Sequence, residues 1–289
     1  MRILITGSKG QLGNEIKVLA KDYPDFEFIY TDIDELDITD PLKVEAFCVT
    51  NQPRVIINCA AYTAVDKAES DVLIATLINA TAVENLSKSA AEIGALMVHV
   101  STDYVFDGKG YLPYVETDQT NPQSVYGKTK LAGEEAVRKF AGKGIILRTS
   151  WLYSAFGNNF VKTMIKFGNE REVLNVVSDQ IGTPTYARDL AKTILDIIPL
   201  SMEQSGTSIF HYSNEGVASW FDFARFIITF SEIKCDVKPI QTKDYPVHAV
   251  RPHFSVLNKA KIKEYYNLQI PYWSESVQHC ILRLKQQTN

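Results

Sequence analysis

The sequence predicts an α/β fold: a doubly wound parallel sheet with helices on both faces, followed by a smaller C-terminal lobe. Three observations carry this. Short β-rich runs alternate with longer amphipathic ones through the first half. A glycine-rich turn, Gly7-Ser8-Lys9-Gly10-Gln11-Leu12-Gly13, follows the first run at once. Past residue 150 the alternation lapses and glycine and proline become denser.

Taken in order, Ile3–Thr6 reads as the first strand and Phe26–Thr31 as the second. Arg54–Asn58, Leu96–Val100 and Ile145–Arg148 read as the third, fourth and fifth. Helical patterns fill 11–21, 41–51 and 71–93, the last stopped by Gly94. Near-continuous apolar strands require a sheet covered on both faces, and right-handed crossovers then wind it doubly, in the Rossmann-like manner. In the second half, helical patterns occupy about 159–169, 187–198, 219–231 and 273–286, with short strand-like pieces between. The expected division is 1–150 for a cofactor-binding domain and 151–289 for most of a substrate-binding lobe, with the chain free to cross back into the sheet.

Composition excludes several classes. The 289 residues carry 30 Lys plus Arg against 34 Asp plus Glu, a net charge of −4, so neither a nucleic acid nor a membrane surface is an expected partner. No apolar run approaches the ~18 residues of a membrane helix. Met1-Arg2-Ile3-Leu4-Ile5 reads as a strand rather than a leader, so no signal peptide is expected. Cys48, Cys59, Cys235 and Cys280 are scattered and read as reduced, buried thiols. The five histidines form no H-x-x-x-H, and no metal is expected. These features point to a soluble, cytoplasmic protein.

The glycine turn has a physical purpose. Glycine permits a tight turn, lets backbone approach a pyrophosphate and lets the helix pack close to the strand. The helix N-terminus then offers free N–H groups and a positive dipole end. Asp32 follows Gly13 by 19 residues, at the end of the second strand, where an acid meets the hydroxyls of an adenosine ribose. That geometry suits a nicotinamide dinucleotide. Asp32 disfavours a 2′-phosphate, whereas Lys9 offers a counter-charge, so either NADPH or NADH is expected.

Tyr126-Gly127-Lys128-Thr129-Lys130 contains a Y-x-x-x-K. The pattern is common by chance, and its address carries the argument. It opens the helical run between strands four and five, and residues four apart share one helix face. A phenol is a poor acid at neutral pH, and a nearby ammonium moves it toward the working range. Strand four ends in Ser101-Thr102-Asp103, at the carboxyl edge where such sheets bind ligands, so the Thr102 hydroxyl can meet a substrate oxygen beside Tyr126.

With the strings Asn58–Glu69, Val98–Asp107, Asn121–Glu134, Leu147–Tyr153, Gly157–Phe160, Ser178–Pro184 and Arg251-Pro252, these motifs span most of the chain. On them the sequence resembles the dTDP-4-dehydrorhamnose reductase family of extended short-chain dehydrogenase/reductases. The resemblance implies hydride delivery from NAD(P)H to C4 of dTDP-4-dehydro-L-rhamnose. It implies Tyr126 as proton donor, Lys130 as its tuning and ribose-binding partner, and Thr102 as carbonyl polariser. It places Gly7, Gly10, Gln11, Leu12 and Gly13 along the pyrophosphate and Asp32 at the adenosine ribose. Asp37 and Ile38 would flank the adenine, with Ala61, Tyr62 and Thr63 along the cofactor. Thr102, Asp103 and Trp151 would touch substrate. Related dehydratases carry Asp-Glu after the threonine, and here Asp103-Tyr104 stands instead. Some family members hold Mg²⁺ through glutamates at a dimer contact. Glu15 stands at one such place, but Arg188 lies where another carboxylate belongs, which disfavours a metal while leaving a homodimer open. Two other readings share the fold: a reductase of another nucleotide 4-keto sugar, and a non-catalytic NAD(P)-binding regulatory subunit.

Overall fold

Residues 2–149 lay down five strands, β1 (Arg2–Thr6), β2 (Glu27–Tyr30), β3 (Val55–Asn58), β4 (Leu96–Thr102) and β5 (Lys143–Thr149). The computed structural model describes residues 1–245 and 249–288. Seven further strands follow, β6 (Leu152–Tyr153), β7 (Val173–Val177), β8 (Ile181–Gly182), β9 (Thr185–Tyr186), β10 (Gly206–His211), β11 (Ala218–Ser219) and β12 (Asp236–Ile240). One six-stranded sheet runs β2-β1-β3-β4-β5-β10, every neighbour parallel. The predicted fold class is therefore the one observed, and β10 brings the chain back to the sheet edge.

The helices are α1 (Gln11–Leu19), α2 (Pro41–Asn51), α3 (Val65–Ala68), α4 (Val72–Thr76), α5 (Ala82–Glu92), α6 (Val125–Phe140), α7 (Phe160–Glu170), α8 (Ala187–Ser201), α9 (Trp220–Phe230), α10 (Ala260–Tyr266) and α11 (Trp273–Thr288). Strand side chains alternate between two faces. Ile3, Ile5, Ile57 and Val98 pack with α1 and α8, whereas Leu4, Ile56 and Met97 pack with α2, α5 and α6. A separate apolar cluster draws on residues from Tyr153 to Ile281, including Phe223, Ile227 and Val277. Among the described residues, no helix is long and apolar enough to cross a membrane.

Two sequence expectations change. The helix expected over 71–93 is broken by a π turn at Leu77–Thr81, which buries Asn79. α10 was not anticipated, because only Ile262 and Tyr266 on it are buried, too few for a periodic signal.

One buried ion pair joins α6 to the sheet. Glu134 on α6 accepts from Arg148 on β5, Nε to Oε1 at 2.9 Å and Nη2 to Oε2 at 2.7 Å, and from the Ser101 hydroxyl on β4 at 2.5 Å. Both charged side chains are buried, and Arg148 lies 5.1 Å over the Phe106 ring. Arg148→Leu should destabilise the fold by about 3–5 kcal/mol in urea titrations, because it leaves a buried carboxylate unpaired. Glu134→Leu with Arg148→Leu should recover most of that loss.

Candidate active site

β1 leads to β2 on one side of the sheet and neighbours β3 on the other, so the crevice opens where the winding reverses. Gly7 sits there with φ +64°, and a Cβ on it would lie 2.6 Å from the Ala60 nitrogen. Gly10 caps α1 without a side-chain acceptor, leaving the first-turn N–H groups directed at the crevice. Gly7, Gly10, Asp32, Asp37, Ile38 and Ala61 together line a groove of about 440 Å³, closed by apolar Leu36, Ala60 and Ile78.

The other predicted cofactor residues stand behind or beside this wall. Leu12 sends its side chain into the core. Gln11 accepts from the Asn159 amide at 3.0 Å. Gly13 packs α1 on the turn, where a Cβ would lie 2.5 Å from Ser8 Cα. Tyr62 donates its hydroxyl to Asp71 at 2.8 Å, and Thr63 is exposed. Asp32 accepts from the Lys9 and Ile33 N–H groups, both at 3.0 Å. The Lys9 ammonium lies 2.9 Å from Asp34 and 3.3 Å from Glu35. Asp37 turns toward Thr39, whose hydroxyl and N–H hold its carboxyl below the usual range.

α6 begins under two caps. Ser124 accepts from Gly127 N–H at 3.1 Å, and Glu69 accepts from Val125 N–H at 2.9 Å. Tyr126 is thus fixed in the first turn, with its ring edge-on to Tyr104 at 5.4 Å. Gly127 allows this: a Cβ there would collide with the Tyr104 carbonyl. The Thr102 hydroxyl faces the Tyr126 phenol and donates to Asp103 Oδ1 at 2.9 Å. Burial pushes the phenol up to about 12, opposed by the Thr102 hydroxyl and reinforced by the Asp103 charge. Burial also lifts the Asp103 carboxyl to about 6, held down in part by the Ser255 and Thr102 hydroxyls.

Lys130, one turn on, is buried and donates to the Val100 carbonyl at 2.7 Å. Desolvation lowers its ammonium to about 8, opposed by the Glu134 and Cys59 charges. In this geometry its field falls on His99 and Cys59, while burial, Thr102 and Asp103 set the proton affinity of Tyr126. Sequence reasoning assigned no role to Asn58, His99 or Asn79. Asn58 and His99 interrupt apolar strands, and that was the available signal. Asn79 braces α6 by donating to Thr129 at 3.1 Å.

Trp151 has φ +48°, a conformation unusual for a bulky residue, and stacks on Trp220 at 3.7 Å and 11°. Trp220, Phe160, Gln180, Tyr245 and Arg251 line a second pocket of about 190 Å³ in the smaller lobe. Arg251 also binds Asp66 at 2.7 Å, tying this pocket to α3. Two of the four cysteines depart from the buried expectation: Cys59 and Cys235 are partly exposed, and all four are free thiols. Glu15 is engaged within the chain by Arg283 at 2.8 and 2.9 Å and Ser154 at 2.6 Å, with Arg188 at 3.7 Å.

Residues 1–286 match the family described as the RmlD substrate binding domain. A dTDP-4-dehydrorhamnose reductase of Aggregatibacter actinomycetemcomitans is 41% identical over 96% of this chain and 97% of its own. The chain belongs to the dTDP-4-dehydrorhamnose reductase family. Two solved structures of such reductases agree. That from Clostridium acetobutylicum is 44% identical, covering 99% of this chain and all of its own, with a TM-score of 0.95. That from Bacillus anthracis, in complex with NADP, is 39% identical over 98% and 99%, with a TM-score of 0.93.

Asp103 yields a pH prediction. Its folded value, about 6, lies above the unfolded carboxylate range, so the folded state holds this proton more tightly. This group therefore costs stability as pH rises from about 4 to 6, by about 2–3 kcal/mol in all. Asp103→Asn should flatten that part of the thermal-stability profile and leave the protein at least as stable at pH 7. Gly127→Ala should lower stability by about 1–3 kcal/mol in chemical denaturation and reduce turnover, because the first turn of α6 must shift.

Proposed function

We propose that this chain reduces the C4 keto group of dTDP-4-dehydro-L-rhamnose to dTDP-L-rhamnose, using NADPH or NADH. One observation carries the reading. The Tyr126 phenol and the Thr102 hydroxyl face each other at the carboxyl edge of β4, with buried Lys130 one turn beyond. A carbonyl oxygen seated between the two hydroxyls would receive two hydrogen bonds, and Tyr126 would hold the proton that the developing alkoxide takes.

The groove fits a nicotinamide dinucleotide. Its open α1 N-terminus suits a pyrophosphate, Asp32 suits ribose hydroxyls, and Leu36, Ile38 and Ile78 suit an adenine face. Bound there, the cofactor supplies hydride. Lys130 would hold the nicotinamide ribose, and Lys9 would meet a 2′-phosphate. Trp151 and Asp103 would orient the sugar. The second pocket, with the Trp220 and Phe160 rings and the Arg251 guanidinium, suits a nucleotide base and diphosphate. The four free thiols and the nucleotide substrates favour the cytoplasm as the compartment.

Purified protein given enzymatically generated dTDP-4-dehydro-L-rhamnose should oxidise NADPH or NADH at 340 nm, with dTDP-L-rhamnose as product. Tyr126→Phe should lose about 10²–10⁴-fold in kcat while cofactor binding persists. A regulatory subunit would show no wild-type turnover, and a reductase of a different sugar would turn over only that sugar. Lys9→Ala should raise KM for NADPH roughly three- to tenfold and leave that for NADH nearly unchanged.

A further inference from the structure

A buried polar chain runs behind Lys130, and its direction is fixed at one end by backbone. The Ala60 N–H donates to Asn58 Oδ1 at 3.1 Å, and the Thr6 hydroxyl donates to the same oxygen at 2.7 Å. A backbone N–H can only donate, so the Asn58 amide cannot be flipped without leaving that donor facing another. Asn58 Nδ2 therefore faces His99 Nδ1, 3.2 Å away, as a donor. Nδ1 must accept. Burial and the Lys130 charge keep His99 neutral, its proton affinity well below the usual imidazole value. The single ring proton must then sit on Nε2, 3.5 Å from Lys130 Nζ, where it can hydrogen-bond only to the neutral amine and opposes the ammonium.

We propose that His99 is a positioning residue for Lys130: Asn58 locks its ring so that an N–H, and not a lone pair, faces the ammonium. This goes beyond the proposed function but rests on it for Lys130's part in turnover. An N–H gives the ammonium no acceptor on that side. Among the described residues the acceptor that holds it is the Val100 carbonyl, 2.7 Å away. The same arrangement loosens the ammonium's hold on its proton. The other groups facing it are Cys59 beyond β3 and Glu134 on α6, the latter neutralised by Arg148 of β5. The π turn, Leu77–Thr81, carries no titratable side chain and meets α6 through Asn79.

The ring is readable without substrate. Long-range ¹H–¹⁵N spectra of the full chain labelled with ¹⁵N-histidine, assigned by His99→Asn, should show His99 as the neutral Nε2–H tautomer at pH 7. Asn58→Asp keeps both acceptor bonds but draws the ring proton to Nδ1, which turns a lone pair toward Lys130. The basic limb of the kcat–pH profile, near pH 8 in wild type if Lys130 sets it, should then move up by about one unit or more. An Nδ1–H tautomer in wild type would overturn the proposal. So would an Asn58→Asp variant with an Nδ1-protonated ring and an unmoved limb. Absence of wild-type turnover would instead overturn the proposed function, and the tautomer would still decide the placement of His99.

Discussion

The Glu134–Arg148 pair is the constraint on which the site depends. Two opposite charges lie out of water, and their attraction offsets their desolvation only at close, well-aligned geometry. The bidentate contact and the Ser101 hydroxyl supply that geometry. Because Glu134 is on α6, Ser101 on β4 and Arg148 on β5, the three partners fix how far α6 stands from the strand carrying Thr102. A slide of α6 that would part Tyr126 from Thr102 would also break buried ionic bonds. Gly127 and Gly133 reinforce this by close approach, since a Cβ on either would collide with the Tyr104 or Asn79 carbonyl.

The smaller lobe is tied to the groove through its walls. Asn159, which caps α7, also donates to Gln11 at the head of α1. Arg251 bridges from the smaller lobe's pocket to Asp66, on the same short stretch whose Glu69 caps α6. Trp151 leaves β5 in a left-handed conformation and meets Trp220 from the lobe. The first two contacts join residues from the first 150 to residues beyond them, and the third ties the end of β5 to α9.

Much of this was legible in the sequence, for local reasons. Five of the six sheet strands are largely apolar runs, and the glycine turn and Y-x-x-x-K are fixed spacings. The residues that arrange the site were less visible because their partners are remote. Glu134 and Arg148 look like ordinary charges until a helix and a strand bring them together. Asn58 and His99 lay inside recognisable strings, but nothing in a linear pattern says that they bond to each other. The π turn at Leu77–Thr81 is a packing accommodation around Asn79, and α10 buries too little to write a period. Cys59 is partly open because it lines the groove wall.

Glu15 lies fully buried in the first helix, yet its principal partner is Arg283, in the last. During synthesis the first helix emerges with a carboxylate whose principal counter-ion lies 268 residues further along the chain. Until residue 283 has cleared the ribosome, closing α1 onto its mature surroundings would leave that charge with only Ser154 and the more distant Arg188 among the partners described. The α1 face of the large sheet therefore has an electrostatic reason to remain unfinished until α11 is available to cover it.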